Sequence, residues 1–595
     1  GLAVASRLAE DSNTSVLVLE AGTNAENLQE VIVPGLINAV QSLPTLNWAY
    51  LTTPQTHLNN RNLTMNAGKA LGGGSVINNM LFTRGQKEQY DAWGTLNNDS
   101  AWTWNSLLPF FKRSEIFMPP NDFQSANGAQ YIPEVHGLDP SIGRIHAGYQ
   151  NFFFSQSELW RQTALGLGFA ATPDLTNGEP EAVGVAPNSI DALNNTRCSA
   201  TCGYYTPFSD KPNFTVILNA TVSRIIWSPQ GNGTSNLVAS GVEYFLDGEA
   251  NPLIVDVSRE VIVAAGAIGT PKVLELSGVG NSTILHAAGV EPVLDHPSVG
   301  ENLADHLHSW VTAFTNASIT TDLLQQEPTF AQQQLELWYE DRTGLYSAAG
   351  GRTLGIVPPS QIFSDSKLQG LVDQARSNIS KFATQFSNGN EALAKGIKAQ
   401  HEIALQLYLA DKEGPLEMNL GPGYIGPTAF DQRPKRNYTT INTIFYAPLS
   451  RGRTHIASSD LRTPPLVDPA YWSHPLDTAA HVAGIQLARK MMNTPPLNTI
   501  FSGEFEPGTE RESDGAVEEW LMSVASGDNH PVGTMAMLPK ELGGVVDTSL
   551  RIYGTENVRV VDASIIPFPV STHTMSTVYM IGEKAAEIIR ALHKN

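Results

Sequence analysis

The chain has little cysteine, little positive charge and no long apolar run, and each scarcity excludes a class of protein. Two cysteines among 595 residues, Cys198 and Cys202, are too few for a disulfide scaffold or a structural zinc site. A local disulfide between them stays open, although i, i+4 spacing on a helix would make its geometry marginal. No stretch approaches the ~20 apolar residues that cross a bilayer, which argues against a membrane span.

Charge and composition narrow the remaining classes. The 37 basic and 58 acidic side chains give a net charge of −21, so a nucleic-acid partner is excluded and a small uncharged substrate fits better. Hydrophobic residues make up 41% of the chain, with 50 glycines and 37 prolines, which is typical of a loop-rich globular enzyme. The length predicts two connected domains.

Sequons for N-glycosylation are dense in this chain. A chain of this size would carry on the order of five by chance. This excess predicts a secreted, N-glycosylated protein. The eleven Asn-x-Ser/Thr sites are Asn13, Asn62, Asn98, Asn194, Asn213, Asn219, Asn232, Asn281, Asn316, Asn378 and Asn437.

The first 22 residues have the pattern of the second half of a βαβ unit. Residues 1–10 predict a helix with small residues on one side, and residues 15–22 (SVLVLEAG) predict a buried strand that ends in an acid. Gly1 and Glu20 have the separation of the last glycine of G-x-G-x-x-G and the acid that binds the adenosine ribose. We therefore expect the first strand and the first two glycines upstream of Gly1. An ordinary helix–strand pair would explain this half-motif equally well.

A second glycine-rich segment, residues 66–80 (NAGKALGGGSVINNM) followed by FTRG, can bring its backbone close to a planar ligand. It resembles the first signature of the glucose–methanol–choline (GMC) oxidoreductases. Further family-like segments follow in order at residues 261–280, 299–306, 529–534 and 559–575. The chain is identified as a member of this family, similar to fungal secreted alcohol oxidases and dehydrogenases.

The resemblance implies an α/β fold, α+β overall. A Rossmann-like FAD-binding domain would take residues 1–110, 215–305 and 540–595. A discontinuous substrate domain, an antiparallel sheet with covering helices, would take residues 111–214 and 306–539. The pattern also predicts an amphipathic helix at residues 478–492 and a helix that begins at Pro271.

FAD is the cofactor that the resemblance implies. Members that tether it use a histidine in the first glycine-rich segment, and residues 66–84 contain none, so we expect noncovalent FAD. The residues assigned to it are Gly1, Glu20, Ala21, Gly74, Asn78, Asn79, Leu81, Val222, Asp562, Ala563, Thr574 and Met575.

Two of the 14 histidines lie in the family's active-site segments. Alcohol oxidation needs a group that accepts the hydroxyl proton while hydride leaves for flavin N5, and a neutral imidazole suits this task. We assign His530 as the general base. His573 would hydrogen-bond the substrate oxygen and, when cationic, assist reoxidation. His306 and His308 have a chelate-like spacing but no evident third ligand, so structural or flavin-domain packing is predicted for them and no metal is expected.

Two residues that precede the predicted base indicate which alcohols the protein can bind. Glucose-oxidising members place Arg and Asn four and two residues before it, where this chain has Ser526 and Asp528, which disfavours glucose. The sequence therefore predicts oxidation of another alcohol, with oxygen as acceptor and hydrogen peroxide as product. A quinone-dependent dehydrogenase and a non-redox lyase or cyclase that keeps FAD are the alternatives.

Overall fold

The computed structural model describes residues 1–229, 236–349 and 353–593 and shows a mixed helix and sheet protein. The helices of seven or more residues are Leu2–Leu8, Lys87–Asn97, Trp104–Ser114, Ser155–Gly166, Gly266–Leu276, Pro328–Asp341, Asp365–Ser377, Ile379–Phe386, Glu391–Leu409, Pro475–Met492, Asp514–Val524 and Met575–Leu592. Shorter α-helices are Gln29–Ile32, Ile37–Gln41, Gly74–Ile77, Asp122–Ala126, Ser282–Ala287, Leu323–Gln326 and Pro359–Ile362.

The strands form several small sheets and one large one. They are Val16–Leu19, Tyr50–Leu51, Thr64–Met65, Glu115–Phe117, Ile145–Ala147, Val183–Val185, Ile190–Asp191, Thr196–Arg197, Phe214–Ile217, Ala220–Trp227, Ala239–Leu246, Leu253–Asp256, Val261–Val263, Val279–Gly280, Leu294–Asp295, Glu301–Leu303, Leu307–Thr315, Thr353–Val357, Leu416–Gly421, Tyr438–Phe445, Gly452–His455, Leu466–Asp468, Phe501–Glu506, Ser526–Gly527 and Val558–Val560.

Parallel pairing joins distant parts of the chain. Val16–Leu19 pairs with Phe214–Ile217, and Val261–Val263 pairs with Val558–Val560, both in parallel. Parallel strands need long crossover connections, so each pair assembles residues far apart in sequence. The first, middle and last parts of the chain thus lie together, as they would in a Rossmann-like domain.

The first and last long helices, Leu2–Leu8 and Met575–Leu592, pack against each other. Gly582 allows this approach, because a Cβ there would lie 2.7 Å from that of Ala3. Beside it, the buried Glu583 carboxylate accepts from Arg7 at 2.8 Å and from Arg113 at 2.7 Å. A buried carboxylate between two guanidiniums fixes the two helices in one register.

The large sheet is antiparallel and has seven strands. Six of them lie within residues 306–539, and Val183–Val185 comes from residues 111–214. The α+β expectation is therefore confirmed, while the domain boundaries stay a prediction. The order is Phe501–Glu506, Leu307–Thr315, Tyr438–Phe445, Leu416–Gly421, Thr353–Val357 and Val183–Val185, with Ser526–Gly527 also paired to Leu307–Thr315.

The helix Pro475–Met492 covers this sheet and contacts Tyr438–Phe445. The sequence predicts its start at residue 478, three residues too late. Pro475 suits the first helical turn because it needs no N–H partner there, and His474 Nδ1 accepts the backbone N–H of Leu476 at 3.2 Å as a cap.

The predicted helix start at Pro271 is wrong, because the helix runs Gly266–Leu276 with the proline inside. A proline has no N–H to give the carbonyl four residues earlier, which here belongs to Ala267. The hydroxyl of Thr534 donates to that carbonyl at 2.6 Å instead. This substitute donor makes the internal proline tolerable.

Cys198 and Cys202 form a disulfide, with Cα atoms 5.2 Å apart. The marginal geometry expected from helical spacing does not apply, because Cys198 precedes the helical turn Thr201–Tyr205 while Cys202 lies within it. The bridged segment borders the glycine-rich loop, where Ser75 Oγ accepts the N–H of Ala200 at 2.9 Å.

We expect the double variant Cys198→Ala/Cys202→Ala to lose about 2 kcal/mol of stability, the chain-entropy contribution of so short a loop. Thermal unfolding of wild type and variant, each with and without reductant, measures this loss. Reductant should lower the midpoint of the wild type only. Detection of two free thiols in the wild type, denatured without reductant, would contradict the disulfide.

Candidate active site

One large cavity collects every site residue that the sequence predicts. Its volume is about 3190 Å³, far above the ~300–1,000 Å³ of an ordinary small-molecule pocket, so it has room for a dinucleotide cofactor and a substrate. Its wall includes Gly1, Glu20, Ala21, Gly74, Asn78, Asn79, Leu81, Val222, Asp562, Ala563, Thr574, Met575, His530 and His573.

Glu20 follows the carboxyl end of the parallel strand Val16–Leu19, the edge at which α/β sheets bind ligands. The Gly22 backbone N–H donates to Glu20 Oε1 at 2.8 Å and fixes the carboxyl group. Burial raises the pKa of Glu20 to about 7 against that hydrogen bond. Gly1 lies close to Ala264, because a Cβ added to Gly1 would come within 3.3 Å of the Ala264 Cβ. The glycine thus permits a close approach of the two segments.

The glycine-rich loop presents bare backbone to the cavity. Gly72 and Gly73 have φ of +105° and +56°, a region that side chains disfavour. No atom lies within 4 Å of a Cβ built on Gly73 or Gly74. At Gly72, by contrast, a Cβ would meet the Thr201 hydroxyl at 2.7 Å. The loop thus leaves its cavity side open for a planar or phosphate-bearing ligand.

The opposite wall comes from the end of the chain. Asn78 Nδ2 lies 2.9 Å from Met575 Sδ, and Asn78 Oδ1 accepts from Arg197 at 2.9 Å. Thr574 is the N-cap of the helix Met575–Leu592, so the amino end of this helix faces the cavity. An amino terminus of a helix attracts electron-rich groups.

Asp562 lines the cavity but uses its carboxylate within the protein. Oδ2 accepts the Gly266 backbone N–H at 2.9 Å and the Thr270 hydroxyl, and Oδ1 accepts the Ser564 N–H at 2.8 Å. Its side chain therefore fixes the turn into the helix Gly266–Leu276. The residues of this wall fit FAD through backbone groups and shape.

The two predicted catalytic histidines lie next to each other on the cavity wall. His530 Nε2 lies 3.3 Å from His573 Nδ1, with the rings nearly perpendicular at 84°. The His530 backbone N–H donates to Asp305 Oδ1 at 2.6 Å, and the Tyr471 hydroxyl donates to the same carboxylate. Asn529, with φ of +60°, makes the turn that directs the ring inward.

Burial, reinforced by the imidazoles of His573 and His306, lowers the pKa of His530 well below the usual range of histidine. Burial likewise lowers the pKa of His306 to about 3. Both rings are therefore neutral near pH 7. A neutral imidazole offers one nitrogen lone pair, which a general base requires.

Glu417 is the residue that sequence reasoning missed. It lies on the strand Leu416–Gly421, and its Oε2 contacts His573 Nε2 at 3.1 Å and accepts from the Tyr446 hydroxyl at 2.8 Å. Asn419 donates to Oε1 at 2.7 Å. Burial opposes the charge, but His573 and these donors outweigh it and lower the pKa of Glu417.

A signal for Glu417 existed in the sequence. Glu417 and Asn419 are two apart in an otherwise mostly apolar strand, so they share one face of the sheet. All six residues of that strand are buried. Polar side chains that share one face of a fully buried strand indicate a functional cluster.

His306 and His308 lie beside residues of the predicted site, and their role in packing stays a prediction. His306 Nδ1 lies 3.0 Å from His530 Nδ1, and His308, which lines the cavity, lies 3.1 Å from Asn442 Oδ1. The strand Leu307–Thr315 begins beside Ser526–Gly527, and this pairing delivers the histidines to the site.

Comparison with known proteins identifies the family of this chain. Two family models described as GMC oxidoreductase match residues 12–308 and 448–582. The chain belongs to the GMC oxidoreductase family. This GMC oxidoreductase is 32% identical to a dehydrogenase of Armillaria gallica over 617 residues, covering 99% of this chain and 91% of the relative.

Solved structures extend the agreement to the whole fold. An FAD-dependent oxidoreductase of Chaetomium thermophilum matches with a TM-score of 0.90 and 29% identity, over 100% of this chain and 98% of that one. A fungal aryl-alcohol oxidase matches with a TM-score of 0.87 and 27% identity, over the same shares. These likenesses confirm the predicted family and enzyme class and support FAD as the cofactor.

The structure also bears on the two expectations that the chain has no membrane span and no metal. None of the helices in residues 1–229, 236–349 and 353–593 has the length and apolarity that a bilayer crossing needs. Asp528, His530 and His573 each bring a ligating atom within 4.8 Å of the others, the residue types of a metal site. The absence of a metal stays a prediction, and we assign these groups to proton chemistry.

Proposed function

We propose that this GMC oxidoreductase oxidises an alcohol to a carbonyl, with noncovalent FAD as hydride acceptor and His530 as general base. The facing pair of imidazoles carries the proposal: one is held neutral and the other is backed by a carboxylate, on the wall of a cavity that the predicted FAD residues share. The chain's membership of the family supports the redox chemistry.

The two rings divide the proton chemistry. FAD, when bound, supplies N5 as the acceptor of hydride from the alcohol carbon. His530 Nε2 takes the hydroxyl proton, because burial keeps that ring neutral. Glu417, a buried anion, accepts from His573 Nε2 and favours the cationic ring, whose Nδ1–H then donates to the substrate oxygen.

The lining supports a substrate with few hydroxyl groups. Trp310, Ile425 and Ile444 contribute apolar surface to the cavity. Ser526 and Asp528 also line it and supply no charged donor for sugar hydroxyls. A sugar bound here would leave hydroxyls unpaired at about 1–3 kcal/mol each, which supports an alcohol other than glucose.

Oxygen is the acceptor that we propose, with hydrogen peroxide as product. A cationic His573 beside the cofactor would stabilise the negative charge that develops as oxygen is reduced. A quinone is the alternative acceptor, because a relative at 32% identity is a dehydrogenase. Peroxide yield in air, compared with turnover on benzoquinone without oxygen, separates the two.

We expect His530→Ala to slow flavin reduction about 10²–10⁴-fold, the usual contribution of a general base. Substrate affinity should change far less, because the lost interaction acts mainly in the transition state. Anaerobic stopped-flow absorbance with a panel of primary alcohols measures both quantities. Protonation of His530 should also lower the wild-type rate, but below the usual histidine range, because burial lowers the pKa of that ring.

The exposed His286 supplies the control, because His286→Ala removes an imidazole that does not line the cavity and should leave the rate unchanged. His573→Ala should slow reduction and also reoxidation by oxygen. Flavin reduction at the wild-type rate in His530→Ala would reject the base assignment and make His573 the candidate.

The purified protein should be yellow, and denaturation should release FAD into the supernatant. The reason is that residues 66–84 contain no histidine to form a covalent link. Absorbance of supernatant and pellet after acid precipitation checks this. Colour that stays with the precipitated protein would contradict noncovalent binding.

We also propose that the protein is secreted and N-glycosylated. Ten of the predicted sequons lie in described residues, and none of their asparagines is buried; Asn232 lies outside the described residues. Expression in a eukaryotic secretory host should give a product that loses several kilodaltons on enzymatic deglycosylation. Peptide mapping should find glycans at exposed sites such as Asn98 and Asn316. Unchanged mass would argue against secretion.

A further inference from the structure

The outer nitrogen of His530 has two neighbours. Nδ1 lies 3.1 Å from Asp528 Oδ2 and 3.0 Å from His306 Nδ1, while Nε2 faces His573 and the cavity. The His530 and Asp528 side chains are only 13% and 17% exposed, so water competes little for these contacts. Proton chemistry at Nε2 therefore depends on what happens at Nδ1.

A neutral imidazole carries one N–H, and its position decides whether His530 can act. With the proton on Nδ1, the Nε2 lone pair points to the substrate. With the proton on Nε2, the ring cannot accept the alcohol proton there. His306 Nδ1 fits either arrangement, since it can donate or accept, but a carboxylate can only accept.

Asp528 is positioned to favour one of these two tautomers of His530. Its backbone N–H donates to the His306 carbonyl at 2.8 Å, which fixes the turn. Its buried Oδ2 has no hydrogen-bond partner among the described residues, and its ion-pair contact is with His530 Nδ1 at 3.1 Å, so that ring is the group it can serve. The titratable groups around the carboxyl are His530, His573, His306, Glu417, Asp305, Tyr446 and Tyr471.

We propose that Asp528 is a positioning residue that holds the His530 proton on Nδ1 and so keeps Nε2 free as the base. This inference rests on the proposed function. No covalent step is added: Asp528 accepts the Nδ1–H, and the alcohol proton goes to Nε2. An Asp to Asn change at a comparable catalytic aspartate–histidine contact acts through the wrong tautomer.

The arrangement makes the base sensitive to pH. Burial and the like charges of Glu417 and Asp305, against the opposing His573, raise the pKa of Asp528 to about 8. Below that pH the protonated carboxyl loses its charge and its preference for Nδ1–H. Above it the carboxylate accepts, so flavin reduction should rise as pH increases through about 8.

The test is Asp528→Asn in the FAD-loaded enzyme, followed by anaerobic stopped-flow reduction with benzyl alcohol between pH 6 and 10. We expect the rise near pH 8 to vanish and the rate above it to fall about 10–100-fold, part of the general-base contribution. The dissociation constant for benzyl alcohol should change little. Glu519→Gln, the same charge change on the exposed face of a nearby helix, should keep the wild-type profile.

A second readout needs no substrate. The pH-difference infrared spectrum of the FAD-loaded wild type should lose one carboxylic acid band across pH 8, and Asp528→Asn should lack that change. An unaltered band in the variant, or a retained alkaline rise, would overturn the inference. His530→Ala separates this inference from the proposed function. If His530→Ala blocks flavin reduction while Asp528→Asn keeps the wild-type profile, only this inference fails. If His530→Ala reduces its flavin at the wild-type rate, the proposed function fails, whatever Asp528→Asn shows.

Discussion

The close packing of the first helix on the last is the constraint on which the site depends. Gly582 lets Leu2–Leu8 reach the helix Met575–Leu592, and the Glu583 carboxylate between two arginines fixes their register. Met575–Leu592 begins at Thr574, directly after His573. The position of the second histidine thus depends on helix packing further along the same element.

Charge in the site is arranged by burial and pairing. One imidazole is kept neutral because its neighbours and its surroundings disfavour a cation. The other stands against a buried carboxylate, which favours the cation. Under the proposed function, two chemically identical side chains 3.3 Å apart would thereby take opposite tasks, proton acceptor and positive charge.

Sequence alone predicted the family, the mixed fold and the two histidines, because glycine turns and motif order are local patterns. It missed Glu417 and the contacts of His306 and His308, because strand pairing across the large sheet brings these residues beside His573, His530 and Asn442. Pairing register is a long-range property that no short motif encodes. The start of Gly266–Leu276 was missed for a related reason, since the donor that tolerates Pro271 is Thr534, distant in sequence.

That hydroxyl also links two parts of the molecule. Thr534 follows the His530 turn, and it holds a carbonyl of the helix whose amino end borders the cofactor cavity. This hydrogen bond therefore holds the helix and the loop that carries His530 together. Because Pro271 leaves the Ala267 carbonyl without its usual partner, that carbonyl is available to join a segment of the cavity wall to the histidine loop.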